Sequence, residues 1–342
     1  MPIIDVHTHY VPDFVLDILS EGSGEHGIVG TLGYLETQAG RLPVHYPEMH
    51  SPNEKLIAMD ARGVDVSLVS LTPHLFIYGP EHDPVGFARK ANDALAAYTS
   101  ASDRLFGIAT LPLGNPPEAA DELRRAVSVL GLVGGIIGTG LSAEQPLDAI
   151  GLDPVFEAAA TLDVPLMLHP YYCGVITSSE LFLNNTLGVP FDAAWAVARL
   201  IASGTLDRHP RLKLLVPHGG GALPYLFGRM ENAWNRRSEV REAAQRPPSA
   251  YKNQFWYDSI VHSDEALRYL VTFAGADRVL LGTDSPYLTG DLSPSSSFAA
   301  AGLDPQTASA STAELFRLRL PLPDYLTQHS GTAKYAGASD QP

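Results

Sequence analysis

The sequence predicts an α/β chain folded as a single (β/α)8 barrel with a small lid insertion after its first strand. Eight short apolar runs lie between Ile3 and Gly282, and helical stretches alternate with them. The runs are apolar on both faces, as parallel strands covered by helices must be. An antiparallel sandwich alternates polar and apolar residues instead, and a doubly wound open sheet is the competing α/β arrangement. The chain has 342 residues, a length that α/β barrels occupy as one domain.

The strands are expected at 3–7, 64–71, 105–113, 133–138, 165–169, 212–217, 255–259 and 279–282. Amphipathic helices are expected at 53–62, 84–100, 116–130, 153–162, 191–203, 223–234 and 264–274. Asp153-Pro154 carries a helix-start signal, because Asp can accept from the orphan amides and Pro is already set for the first turn. Residues 11–52, rich in Gly, Pro, Tyr and His, interrupt the alternation. An insertion that long at the C-terminal end of a barrel strand belongs over the mouth, as a lid or small subdomain. After Tyr287 the chain is rich in small residues with weak periodicity, and 336–342 reads as disordered. The expected division is therefore a barrel with its lid over 1–290 and a divergent, partly disordered segment over 291–342.

Hydrophobic residues make up 45% of the chain, enough for a large core. Lys and Arg total 23 against 38 Asp and Glu, a formal charge of −15 with no basic run. Nucleic acid is thereby excluded as an expected partner. The single cysteine, Cys173, cannot form an intrachain disulfide, which fits a reducing compartment. Neither a basic-then-apolar leader nor an apolar stretch of membrane-spanning length occurs, so a cytoplasmic protein without membrane partners is expected.

The twelve histidines are a surplus in so acidic a chain, and their placement is informative. Asp5-Val6-His7-Thr8-His9 closes the first strand, and side chains two apart on a strand point the same way. His7 and His9 can both face the barrel interior. The fifth strand ends in His169, the sixth in Pro217-His218 followed by three glycines, and the eighth in Thr283-Asp284-Ser285. Barrel enzymes build their sites at this end of the strands, so residues far apart in sequence would converge there. Imidazoles with one carboxylate suit Zn²⁺ or another first-row divalent ion and leave a position for water or substrate. Singly, each has a plainer reading: His169 as a satisfied core histidine, His218 as a turn residue, Asp284 as a cap. Jointly, placement at four strand ends outweighs them. His26, His45, His50, His74, His82, His209, His262 and His329 lack that placement and read as surface or loop residues, with His45 and His50 in the insertion.

Asp5-x-His7-x-His9, Leu168-His169-Pro170, Pro217-His218-Gly-Gly-Gly-Ala-Leu-Pro224 and Leu281-Gly-Thr-Asp284-Ser-Pro-Tyr287 together resemble the amidohydrolase superfamily. The likeness is to its α-amino-β-carboxymuconate-ε-semialdehyde decarboxylase-like branch, and it spans about residues 1–290. Met59-Asp60, Gly107 to Pro112, Gly188-Val-Pro190 and Tyr257-Asp258-Ser259 agree with it. The resemblance implies a metal-dependent, non-oxidative decarboxylase without an organic cofactor. His7, His9, His169 and Asp284 would hold one divalent ion, Zn²⁺ with Mn²⁺ as the alternative. The fourth strand offers no lysine for a carbamate bridge, which favours one metal.

His218 would be an acid/base group acting on water or on substrate carbon, and either His218 or Asp284 would deliver the proton that replaces the carboxyl group. Arg229 matches an arginine that reaches across a homodimer interface to a substrate carboxylate, a task suited to guanidinium. Arg41 is the nearest candidate for a second arginine, in the insertion. Asn185 and Tyr287 stand where the branch has tryptophan and phenylalanine, implying a more polar pocket. The implied substrate is an aromatic or unsaturated carboxylic acid bearing hydroxyl or amino groups. The branch's closing helix, which packs under the barrel, is matched only by Ala313-Glu-Leu-Phe316. The same constellation also serves a hydrolase or hydratase acting on a lactone, an amide or a conjugated double bond. A catalytically silent barrel that binds a small acid or a partner protein is a further alternative, against which the intact ligand set argues.

Overall fold

The computed structural model describes residues 1–21, 24–31, 34–37, 40–171 and 180–320. All eight predicted strands form one parallel sheet in chain order. They are β1 (Ile4–Tyr10), β2 (Val66–Leu71), β3 (Leu105–Thr110), β4 (Gly134–Ile137), β5 (Leu166–Leu168), β6 (Leu214–Val216), β7 (Phe255–Asp258) and β8 (Val279–Leu280). The sheet closes on itself. Val6 N–H donates to Leu281 O, His9 N–H to Ser285 O and Asp284 N–H to His7 O, each at 2.9 Å. The result is a (β/α)8 TIM barrel.

β1 runs past its expected end because His9 and Tyr10 stay in register with Ser70 and Leu71 of β2. β5, β6 and β8 stop short because the residues after them leave the ladder to carry side chains into the mouth. Helices Pro52–Arg62, Pro84–Thr99, Pro116–Ser128, Asp153–Leu162, Val189–Ala202, Leu223–Arg236 and Asp264–Ala274 match the seven expected. Their inward faces, such as Val155, Phe156 and Ala159 on one helix, are fully buried against the strands. Each large apolar side chain so buried contributes about 1.5–3 kcal/mol. The capping expectation at Asp153 is corrected: the N-cap is Leu152, without a side-chain bond. Asp153 instead accepts from His209 Nε2 at 2.6 Å, so His209 is a buried, paired residue rather than a loop histidine.

The insertion holds a helix the sequence reading did not expect, Asp13–Glu21, with Val15 and Ile18 buried three positions apart. An antiparallel sheet of Val29–Thr31, Tyr34–Thr37 and Gly40–Pro43 follows, then a 3-10 turn at Pro47–Met49. The segment after Tyr287 is also more regular than its weak periodicity implied. Helices Pro294–Ala300 and Pro305–Leu315 form there. The second lies at the end of the barrel away from the mouth: Ile4 N–H donates to Ser309 Oγ at 3.0 Å. Its buried face is Ala308, Ser309, Thr312 and Leu315. Small residues allow close approach but carry little hydrophobic signal, which is why the pattern looked weak. Ser309→Ala strands the buried Ile4 amide, and a loss of about 1–3 kcal/mol in denaturant unfolding is expected. Residues 336–342 lie outside the described residues. No described helix is long and apolar enough to cross a membrane.

Candidate metal centre and active site

The backbone turns sharply where the site residues leave their strands. His218 and Asp284 adopt left-handed φ of 54° and 58°, a conformation costly for non-glycine residues and typical of functional sites. His218 is followed by three glycines with positive φ. At Gly221 a Cβ would fall 1.9 Å from the Pro190 carbonyl oxygen, so no other residue fits that turn.

Donor atoms of His7, His9, His169 and Asp284 all lie within 4.8 Å of one another, and all four residues are buried. His7 Nε2 is 3.1 Å from His9 Nε2, and Asp284 Oδ1 is 3.0 Å from His9 Nε2 and 3.4 Å from His7 Nε2. Two ligands held at about 2.0–2.1 Å by one tetrahedral ion sit roughly 3.4 Å apart, so the spacings fit a shared cation. The His169 ring supplies a second sign. Its Nδ1 is 2.9 Å from the Pro170 carbonyl, so that nitrogen carries the proton. Its Nε2 is buried without a hydrogen-bond partner among the described residues, a lone pair aimed into the cluster.

Electrostatics prepare three of the four groups for a cation. Burial pulls His9 down to about 4 against the raising effect of Asp284. Burial, reinforced by His7, His9 and His218, holds His169 well below its ordinary value. Both rings are therefore neutral near pH 7. Burial works against the Asp284 carboxylate, but His7, His218 and His9 hold its pKa well below the usual range, so it is ionised. His7 differs: burial opposes its charge, yet Asp284 and then Asp258 outweigh that and raise its pKa. A cation held at Asp284 would compete with that proton.

In the sequence Asp258 stands out only as part of the Tyr257-Asp258-Ser259 motif. Its Oδ2 lies 2.8 Å from His7 Nδ1, and its Oδ1 accepts from Gly219 N–H at 3.0 Å. One buried carboxylate thus orients the His7 ring and the turn after His218. The tie to His7 lowers its pKa despite burial.

Over the cluster lies a cavity of about 440 Å³ to which His169, His218, Asp284, Tyr287, Asn185 and Arg41 contribute. The insertion reaches it through Arg41, Pro43 and Tyr46. Arg41 pairs with Glu36 at 2.6 Å. His218 Nε2 is 3.6 Å from Asp284 Oδ2, and its Nδ1 has no hydrogen-bond partner among the described residues. A second cavity of about 370 Å³ shares His218 and Asp284 and adds His262. His74, read from sequence as a surface residue, is a wall of the first cavity beside Tyr287, whose hydroxyl meets Thr72 Oγ1 and lies 3.3 Å from His74 Nδ1. Burial takes His74 down to about 4. Among the predicted site residues only Arg229 stays away: it is exposed on helix Leu223–Arg236 and makes no hydrogen bond or ion pair among the described residues.

A family profile described as amidohydrolase matches residues 4–317. The chain belongs to that family. It is 32% identical over 302 residues to 2-amino-3-carboxymuconate-6-semialdehyde decarboxylase of Dictyostelium discoideum, covering 85% of this chain and 83% of that protein. The structure superposes on 5-carboxyvanillate decarboxylase from Sphingomonas paucimobilis with a TM-score of 0.79 at 25% identity, over 93% of this chain and 99% of that one. It also matches a dihydroxybenzoic acid decarboxylase from Polaromonas sp. JS666, solved with bound manganese and 2-nitroresorcinol, at TM-score 0.71 and 25% identity over 94% and 98% of the two chains. Within the family, the chain stands among the metal-dependent, non-oxidative decarboxylases.

Proposed function

We propose that the enzyme decarboxylates a hydroxy- or amino-substituted aromatic or unsaturated carboxylic acid at a single divalent ion held by His7, His9, His169 and Asp284. The observation that carries the proposal is the unpartnered Nε2 of buried His169 beside two imidazoles and a carboxylate at ligand spacing. Three nitrogens and one oxygen favour Zn²⁺, with Mn²⁺ the alternative. A bound ion supplies Lewis-acid stabilisation of the negative charge that builds as carbon dioxide departs. The bond between the carboxyl carbon and the substrate carbon that bears it breaks, its electron pair stays on that carbon, and a proton takes the vacated position.

His218 is the proton donor in this reading. Both His218 and Asp284 border the two cavities, but Asp284 Oδ1 is shared between His9 and His7 and its carboxyl is held ionised. Tyr287 and Asn185 offer hydrogen bonds to ring substituents, and Arg41 offers charge at the rim. Arg229 serves a neighbouring subunit's site. Exposed aromatics beside it support a homodimer: Tyr225 is 83% exposed on the same helix, and Trp195 is 53% exposed on the helix packed against it. We place the enzyme in the cytoplasm, which its single cysteine fits.

Carbon dioxide release from a panel of hydroxy- and amino-substituted aryl acids tests the activity. Release from none, alongside turnover of lactones, would favour the hydrolase reading. Arg229→Ala is expected to raise KM for the acid about tenfold or more, in keeping with loss of a charge-assisted hydrogen bond. Sedimentation should show a dimer in the wild type.

A further inference from the structure

Beneath the centre, outside both cavities, lies a charge cluster that the chemistry above does not use. Lys55 has a fully buried side chain on helix Pro52–Arg62. Its ammonium donates to the His9 carbonyl at 3.3 Å and lies 3.6 Å from Glu48. Glu48, at the end of the insertion, is gripped in two places by Arg62, with both contacts at 2.7 Å. Arg62 donates to Ser285 Oγ at 2.8 Å, and Ser285 Oγ donates to Glu48 at 2.8 Å. Tyr98 donates to the Glu48 carbonyl at 2.9 Å, fixing that residue to a second helix.

The cluster meets the proposed metal set from two sides. Ser285 directly follows Asp284, and its carbonyl accepts the His9 amide at 2.9 Å. The His9 backbone is therefore held on both sides, its N–H on Ser285 and its C=O on Lys55. Two cations and one carboxylate are costly to bury and are retained only when well bonded. Their bonds here converge on the two chain segments that carry ligands at opposite ends of the sequence.

We infer that Lys55, Glu48, Arg62 and Ser285 are positioning residues that hold His9 and Asp284 at ligand spacing and so couple the insertion to metal affinity. The inference rests on the metal reading above. It is tested on apoprotein by competing a chromogenic chelator for Zn²⁺ and for Mn²⁺, with Ser285→Ala, Glu48→Gln and Lys55→Met beside the wild type. Outer partners of metal ligands are commonly worth about 10–100-fold in affinity. A loss of that size is expected in all three variants, while Ser285→Ala apoprotein, which keeps the two-point Arg62–Glu48 pair, stays folded. Ser285→Ala deletes one oxygen and decides the matter if the charge variants do not fold. Folded variants with wild-type affinity would overturn the inference alone. A wild type that binds neither ion would instead overturn the reading on which it rests.

Discussion

Replacing His169 with alanine is expected to empty the centre of metal and abolish turnover. The wild type should hold about one equivalent of divalent ion per chain after dialysis, and His169→Ala close to none. His169 is fixed by the Pro170 carbonyl on one ring nitrogen and presents the other, buried and without a hydrogen bond, to the cluster. Its position at the end of β5 lets it complete a set whose other members come from β1 and from the segment after β8. Removing it leaves two imidazoles and a carboxylate, a three-donor site open to water. The fold should survive, because β5 is held by backbone pairing to β4 and β6. Metal analysis and circular dichroism on one sample separate the outcomes. A folded variant with a full equivalent of metal would remove His169 from the ligand set.

Much of this centre was legible because two strong regularities coincide. A strand alternates its side chains, so His7 and His9 share a side, and barrel strands end at one common face. Those rules place His7, His9, His169, His218 and Asp284 without knowledge of any contact. What stayed hidden depends on pairings that sequence does not display. Asp258 looks like one more residue in an apolar run, and only folding brings it to His7, 251 positions away. His74 and His209 resemble loop histidines until burial and a partner define them. Lys55 has nothing in its local sequence to mark it out, although its side chain is fully buried. The closing helix was obscured for the opposite reason: apart from Leu315 its buried face is Ala, Ser and Thr, which pack closely without raising hydrophobicity. The helix at Asp13–Glu21 escaped because Gly- and Pro-rich neighbours dominate the insertion's composition.

His218→Ala is expected to separate binding from chemistry. The imidazole lies outside the proposed ligand set, with Nε2 at 3.6 Å from Asp284 Oδ2, so the variant should keep its metal and bind the acid with a similar KM. Turnover should fall by about 10²–10⁴-fold, the usual contribution of a positioned acid or base. The direction follows from the proton balance. Loss of carbon dioxide leaves an electron pair on ring carbon that needs one proton, and Asp284 is a poor source because neighbouring histidines hold it ionised. His218 reaches the same space and can relay a solvent proton through its two nitrogens. Running the reaction in deuterated water should place one deuterium at the former carboxyl position in the wild type. In His218→Ala the remaining slow turnover should show a changed solvent isotope effect, as water replaces the imidazole as donor. Loss of metal together with activity would move His218 into the ligand set. Full activity with metal retained would assign the proton to Asp284 instead.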